Sequence, residues 1–230
     1  DRLSRSGKVE READIIEHEG APVIIAGFGR FGQIVGRLLF ASGVKATVLD
    51  QDPDQIELLK KFGFRIFYGD ATRTDLLHSA GIEHARVLVV AIDDQAASLR
   101  LVAEVREHHP HLKIVARARN VGHYLELRRL GVDLIERETF EASLRAGRRT
   151  LEVLGVQPYE ARESADRFRA HNVRSLEALL PYLADENRRL SIARAAREQL
   201  ESQFARDREA RDREVASWTE EDVAERDRGR

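Results

Sequence analysis

Gly27, Gly29 and Gly32, in the stretch IIAGFGRFGQIVGRLL, follow an apolar run with the spacing G-x-G-x-x-G. The chemistry that such a spacing serves is the holding of phosphate. The first glycine permits a tight turn, the second lets backbone approach a pyrophosphate, and the third lets a helix pack closely on the strand before it. The helix that opens here, with Arg30 and Phe31 at its start, offers free N–H groups and the positive end of its dipole to an anion. Asp50 ends the next strand-like run, KATVLD. It is placed to accept from ribose hydroxyls, and its charge repels a 2′-phosphate. A G-x-G-x-x-G alone is a weak signal; the preceding strand, the following helix and the acid at the end of strand two make it specific.

Further carboxylates fall at the ends of later strands. Asp70, in YGDAT, can accept from an adenine amino group or cap the short helix that follows, a job Thr72 can share. Ala71 lies between them. Asp93 and Asp94, in AIDD, share the same edge, and capping suits one of the two. Without histidine partners they make no case for a metal site. Candidate nucleotide contacts are therefore Gly27, Gly29, Arg30, Phe31, Gly32, Asp50, Asp70, Ala71, Thr72 and Asp93. His108, His109 and His111 surround Pro110, and His78 and His84 flank a short helix; all five read as surface histidines.

Arginines form a second set. Arg117 and Arg119 end strand five, Arg137 ends strand six, and Arg37 lies on the helix after the glycine loop. In a parallel sheet these strand ends share the ligand edge. Guanidinium groups converging there suit a carboxylate or phosphate. Spacing alone favours the plainer outcome, pairing with Glu136, Glu138, Glu141 and their neighbours.

The elements that must position these residues alternate regularly. Six short strands, PVIIAG, KATVLD, RIFYGD, RVLVVAID, LKIVARA and VDLIE, alternate with helical segments. Phe31, Ile34, Val35, Leu38 and Leu39 share one helical face. In DPDQIELLKKFG, Asp52 is a helix N-cap, Pro53 the first helical residue and Gly63 the stop. Strands alternating with helices predict an α/β protein: a Rossmann-like, doubly wound, parallel six-stranded sheet. After Gly155 no strand appears. A charged α-helical C-terminal extension follows, in which Phe168, Leu176, Leu179, Leu180, Leu183, Leu190, Ile192, Leu200 and Phe204 form a thin apolar stripe that needs a partner surface. The expected division is a linker over 1–20, a nucleotide-binding domain over 21–155 and a helical extension over 156–230, with a disordered tail beyond Trp218.

Bulk properties narrow the class. The chain has 230 residues, 42% hydrophobic and 34% charged, with a formal net charge of −2 that gives no reason to expect nucleic acid. No apolar run approaches the roughly 20 residues needed to span a bilayer. With no cysteine there is no disulfide framework, thiol catalysis or cysteine-held metal. With no methionine either, the chain is expected to be a piece of something longer. A nicotinamide dehydrogenase needs a second catalytic domain, and the polar helices after strand six are too short for an ordinary one. The nucleotide is thus expected to order the fold rather than react.

The stretches VIIAGFGRFGQIVGRLL, VLDQDPDQIELLKKFGFRIFYGDATR, HPHLKIVARARNVGHYLELRRLGVD, ERETFE and LGVQPYEARESADRFRAHN resemble the cytoplasmic regulatory domain of Kef-type potassium efflux systems, also called the RCK, KTN or TrkA-N domain. The resemblance covers residues from about 21 to 172. It implies a C-terminal domain on the cytoplasmic face of the bacterial inner membrane, attached to a potassium/proton antiporter domain of the same polypeptide. It further implies a homodimer that exchanges C-terminal helices, AMP or NAD(H) in the Rossmann site, and a quinone-oxidoreductase-like ancillary subunit. Glutathione would hold the antiporter closed, and glutathione S-conjugates would open it. By position, Arg137 and Asn172 match the family's principal glutathione contacts. Arg37 matches a basic residue near them, and Phe62 an aromatic that a bulky S-substituent displaces. For Arg137 the resemblance outweighs simple ion pairing. Two other classes stay open: a soluble RCK subunit of a potassium uptake system, although no following RCK-C domain is visible, and an NAD-dependent oxidoreductase.

Overall fold

The computed structural model describes residues 21–52 and 65–228. The linker expected over 1–20, the helix expected between Asp52 and Gly63, and Phe62 lie outside the described residues. Six strands form one parallel sheet: β1 (Val23–Ala26), β2 (Ala46–Asp50), β3 (Arg65–Tyr68), β4 (Val87–Val90), β5 (Lys113–Ala118) and β6 (Leu134–Arg137). Their order is β3-β2-β1-β4-β5-β6, with Val23 in register with Ala46 on one side and Val87 on the other. This is the doubly wound order, and it reverses direction between β1 and β4.

Alternation along the strands explains how both faces are covered. Ile24, Leu49, Leu88 and Ile114 point to one face, where they meet Leu101, Val102 and Val105 of α3 (Gln95–His108) and Leu127 of α4 (Val121–Arg129). Their neighbours Ile25, Val48 and Val89 point to the other face, against Phe28 and against Val35 and Leu39 of α1 (Arg30–Ala41). The short α2 (Thr74–Ser79) adds Leu77 to the first cluster. Strands buried on both faces read as continuous apolar runs, which is why VIIA and VLVV carry no alternation of polarity.

The helical part behaves differently. Helix α5 (Phe140–Val153) has no buried residue among its fourteen and packs against α6 (Pro158–Glu177) across a turn at Gly155, where φ is 94°. A 3-10 turn (Leu180–Tyr182) leads into α7 (Glu186–Arg228). The apolar stripe of this region divides in two. Leu176, Leu179, Leu180, Leu183 and Ile192 gather around Leu125 of α4, which ties the extension to the sheet domain. Phe168 and Phe204 instead face the groove between α5, α6 and α7. Helix α7 continues to Arg228 where the composition suggested disorder. The segment EEDVAERDR is rich in Glu and Arg, which favour helix once an upstream turn has nucleated it.

Candidate ligand sites along the sheet edge

A cleft of about 660 Å³ opens at the carboxyl ends of β1 to β4. Three glycines shape it in three distinct ways. Gly27 has φ +90°, and a Cβ there would meet the Ala91 carbonyl carbon at 2.9 Å. A Cβ on Gly32 would stand 2.3 Å from the Gly27 carbonyl oxygen. Gly29 has an ordinary φ of −63°, and a Cβ on it would touch nothing within 4 Å. The fold therefore requires Gly27 and Gly32 for packing, whereas the space beside Gly29 is open cleft. No side chain caps α1 at Gly29, and its first turn holds no acid. Its leading N–H groups thus remain available to an anion.

Asp50 is held at the floor of the cleft. One carboxylate oxygen accepts from the Phe28 N–H and the other from the Asp52 N–H at 2.8 Å. Asp50 thus clasps the glycine loop as well as facing the cleft. Asp70 lines the same cleft and accepts from the Thr72 N–H and hydroxyl at 2.9 and 2.8 Å. Those two bonds, aided by Arg100 and Arg73, hold its carboxyl below the ordinary range. Of the two roles open to Asp70, helix N-cap is not the one adopted: Arg73 occupies the N-cap position of α2. Asp94 caps α3 by accepting from Ala97 N–H at 2.7 Å, which leaves Asp93 for other partners. Ala71 and Asp93 also line the cleft; Arg30, Phe31, Gly32 and Thr72 do not.

The arginines separate. Arg117 is 3% exposed and donates to Ala91 O, to Asp93 at 2.6 Å and to Glu138 at 2.9 Å. Arg119 reaches the same two acids at 2.8 and 3.3 Å. For these two, ion pairing is what the fold adopts. Arg37 is exposed on α1, away from the cleft lining. Arg137 lies with its guanidinium 3.5 Å over the ring of Phe140, and burial lowers its pKa while Tyr124 and Glu141 oppose that. Glu141 is forked by Arg169 at 2.9 and 2.8 Å. Phe140 in turn stacks on Phe168 at 6.3 Å, and both line a groove of about 600 Å³ between α5, α6 and α7. Asn172 lines it too, with a buried Oδ1 that has no hydrogen-bond partner. Phe140 and Asn172 thus line one groove, and Arg137 lies on Phe140 without lining that groove itself.

Residues 23–137 match the family model described as the TrkA-N domain, half of the chain. This chain belongs to the TrkA-N family. Residues 142–227 match a second model, described as the potassium efflux system KefB C-terminal domain. The chain is 54% identical over 209 residues to the glutathione-regulated potassium-efflux system protein KefC of Escherichia coli O17:K52:H18, covering 90% of this chain and 34% of that protein. The same figures hold for KefC of Shigella boydii serotype 18. The chain thus spans about a third of the length of these relatives. Among solved structures it resembles the Shewanella denitrificans Kef CTD in AMP-bound form, at 44% identity and TM-score 0.65, over 69% of this chain and 97% of that one. It also resembles the TrkA-N domain of the inner membrane protein ybaL from Escherichia coli, at 25% identity and TM-score 0.52, over 58% and 96%.

Within this TrkA-N domain, three residues escaped inspection of the sequence. Phe28 is a buried anchor whose N–H binds Asp50, although it sits between two motif glycines. Arg100 lines the cleft one turn beyond Ala96 on α3. Only knowing which face of α3 meets the cleft would have found it. His123 is buried, and its Nδ1 accepts from the Arg119 N–H at 3.3 Å. Burial first, then Arg117 and Arg119, lowers its pKa, so the ring is held neutral. Its sequence signal was its place on the inward face of α4 beside Leu127, where a surface histidine would not stand. Among the described residues no helix is long and apolar enough to cross a membrane, and no cluster of His, Asp and Glu is suited to a metal ion.

Proposed function

We propose that this chain is a non-enzymatic, ligand-sensing domain that gates a potassium/proton antiporter carried on the same polypeptide, at the cytoplasmic face of the inner membrane. An adenine nucleotide, AMP or NAD(H), occupies the cleft and sets the shape of the sheet domain. Its phosphate lies at the N-terminus of α1 over Gly29, and its ribose faces Asp50. Asp70 is the acceptor for the base. The open space beside Gly29 and the uncapped α1 support this placement, as does the AMP named in the solved Kef relative.

Glutathione is the regulatory ligand: it holds the transporter closed, and its S-conjugates open it. One observation carries this part. Arg137 is stacked on Phe140 beside the groove in which Asn172 keeps an unpartnered buried Oδ1. Glutathione supplies two carboxylates for a guanidinium fork, and an ammonium and peptide N–H groups for that oxygen. The relatives' name, which calls them glutathione-regulated, agrees with it. Phe62 is the aromatic neighbour of a bulky S-substituent, and Arg37 a further cation toward the membrane part. The domain acts as a homodimer, with a quinone-oxidoreductase-like ancillary subunit as a further partner.

Calorimetry tests the site. Arg137→Ala is expected to weaken glutathione binding by about 1.5–3 kcal/mol, the range for a charge-assisted hydrogen bond, and to leave AMP binding unchanged. Asn172→Ala should weaken glutathione in the same way. If both variants bind glutathione like the parent, the site lies elsewhere.

A further inference from the structure

The doubly wound fold has two equivalent halves, and a dinucleotide lies across both, one nucleotide over each. In this chain the described part of the cleft takes in the ends of β1 to β4. Among the described residues, the cleft lining comes from the ends of β1, β2, β3 and β4 and from α3, and none comes from β5 or β6. The lining, rather than the volume, distinguishes one nucleotide from two.

What stands over the other half is a bridge of charge. Arg117 rises from β5 and is 3% exposed. Its Nη2 binds Asp93, at the border of the open cleft, at 2.6 Å and Glu138, just past β6, at 2.9 Å. Arg119 spans the same two acids. The Phe31 ring, at the start of α1, lies 5.7 Å from the Arg117 guanidinium. The bridge therefore joins the ends of β4, β5 and β6 and reaches α1, which is the rim that a second nucleotide would need.

Resting on the nucleotide reading above, we infer that Arg117 is a specificity-determining residue: it closes the second half-site, so that the crevice accepts one mononucleotide and leaves the nicotinamide half of a dinucleotide without a seat. Charge acts in the same direction. Among the described residues, five carboxylates, Asp50, Asp52, Asp70, Asp93 and Asp94, line the cleft, and Arg100 is the one cation beside them. Each added phosphate meets that acidic wall. A buried arginine with two carboxylate partners and a backbone acceptor does not swing aside without leaving charges unpaired, so closure is a standing feature of the fold.

The test is titration calorimetry of the 230-residue chain with AMP, nicotinamide mononucleotide and NAD. AMP and NAD are expected to bind within about threefold of each other, because only the adenylate half makes contact. Nicotinamide mononucleotide is expected to give no binding heat. NAD binding about tenfold tighter than AMP, or saturable binding of nicotinamide mononucleotide, overturns the inference. Absence of any AMP binding would instead overturn the nucleotide reading beneath it. Arg117→Met, with its melting transition checked, should raise NAD affinity relative to AMP by about threefold or more. An unchanged ratio in the folded variant removes Arg117 from the role. Should Arg117→Met fail to fold, Arg117→Gln, which can still donate to Ala91 O but no longer spans to both acids, is read the same way.

Discussion

Single residues at the cleft divide into those the fold needs and those a ligand needs, and the glycines separate the two cleanly. Gly32→Ala drives a Cβ into the Gly27 carbonyl at 2.3 Å and should destabilise the domain by about 1–3 kcal/mol, the usual cost of overpacking. Gly29→Ala meets nothing within 4 Å at an ordinary φ. Its folding stability should change by less than about 1 kcal/mol, while AMP binding should fall about tenfold, because the methyl fills the space kept for phosphate. Paired melting and calorimetry check this. If Gly29→Ala binds AMP as well as the parent does, phosphate is not held there. Asp50→Ala removes both the ribose acceptor and the clasp on Phe28, and should weaken AMP by about 1–3 kcal/mol.

At the scale of elements, two groups contribute to the fold's response to pH in separate windows. Asp133, just before β6, accepts from Arg106 of α3, from Lys113 of β5 at 2.9 Å and from the Ile114 N–H at 2.9 Å. Burial alone would raise its pKa, but Lys113, the Ile114 N–H and Arg106 outweigh that and hold it well below the carboxylate range. A depressed acid stabilises the fold above its unfolded value of 3.8, and this contribution is lost as pH falls through and below that value. His123 acts in a higher window. Its folded pKa lies below the ordinary 6.5, so the unfolded chain takes up a proton first. Stability is therefore present above 6.5 and declines as pH drops below it. The melting temperature should fall between about pH 7 and pH 5, and His123→Gln should flatten that slope without abolishing the transition. Asp133→Asn should cost about 1.5–3 kcal/mol near neutral pH, from the loss of charged hydrogen bonds. A melting curve equally steep with pH in His123→Gln would assign the slope to other groups.

At the scale of the whole molecule, apolar surface is left at the turn between α5 and α6. Val153 is 87% exposed, and Leu154 and Tyr159 are each 75% exposed. Helix α5 itself has no fully buried residue. The proposed homodimer supplies the missing cover, because exposed apolar side chains gathered at one place mark interaction surfaces. Light scattering should report twice the chain mass for the parent. Val153→Glu combined with Leu154→Glu should shift it toward the chain mass, with helicity retained. A monomeric parent would remove this surface from the dimer proposal.

The glycine spacing, the strand-helix alternation and the acids at the strand ends are local patterns, so the doubly wound sheet, the roles of Gly27 and Gly32, and a cap from one of Asp93 and Asp94 are legible along the chain, while the structure decides for Asp94. Periodicity reports which face of an element is apolar, and turn residues report where it stops. Neither reports which distant side chains meet. That Arg117 pairs with Asp93 and Glu138 while Arg137 lies on Phe140 follows from how far β5, β6 and α5 are staggered, which no single segment encodes. The same holds for the division of the C-terminal stripe between α4 and the open groove, and for the neutral, buried His123. Hydrophobic pattern is a property of one element and is written in its sequence. Desolvation and charge pairing are properties of neighbours, and only the tertiary structure decides who the neighbours are.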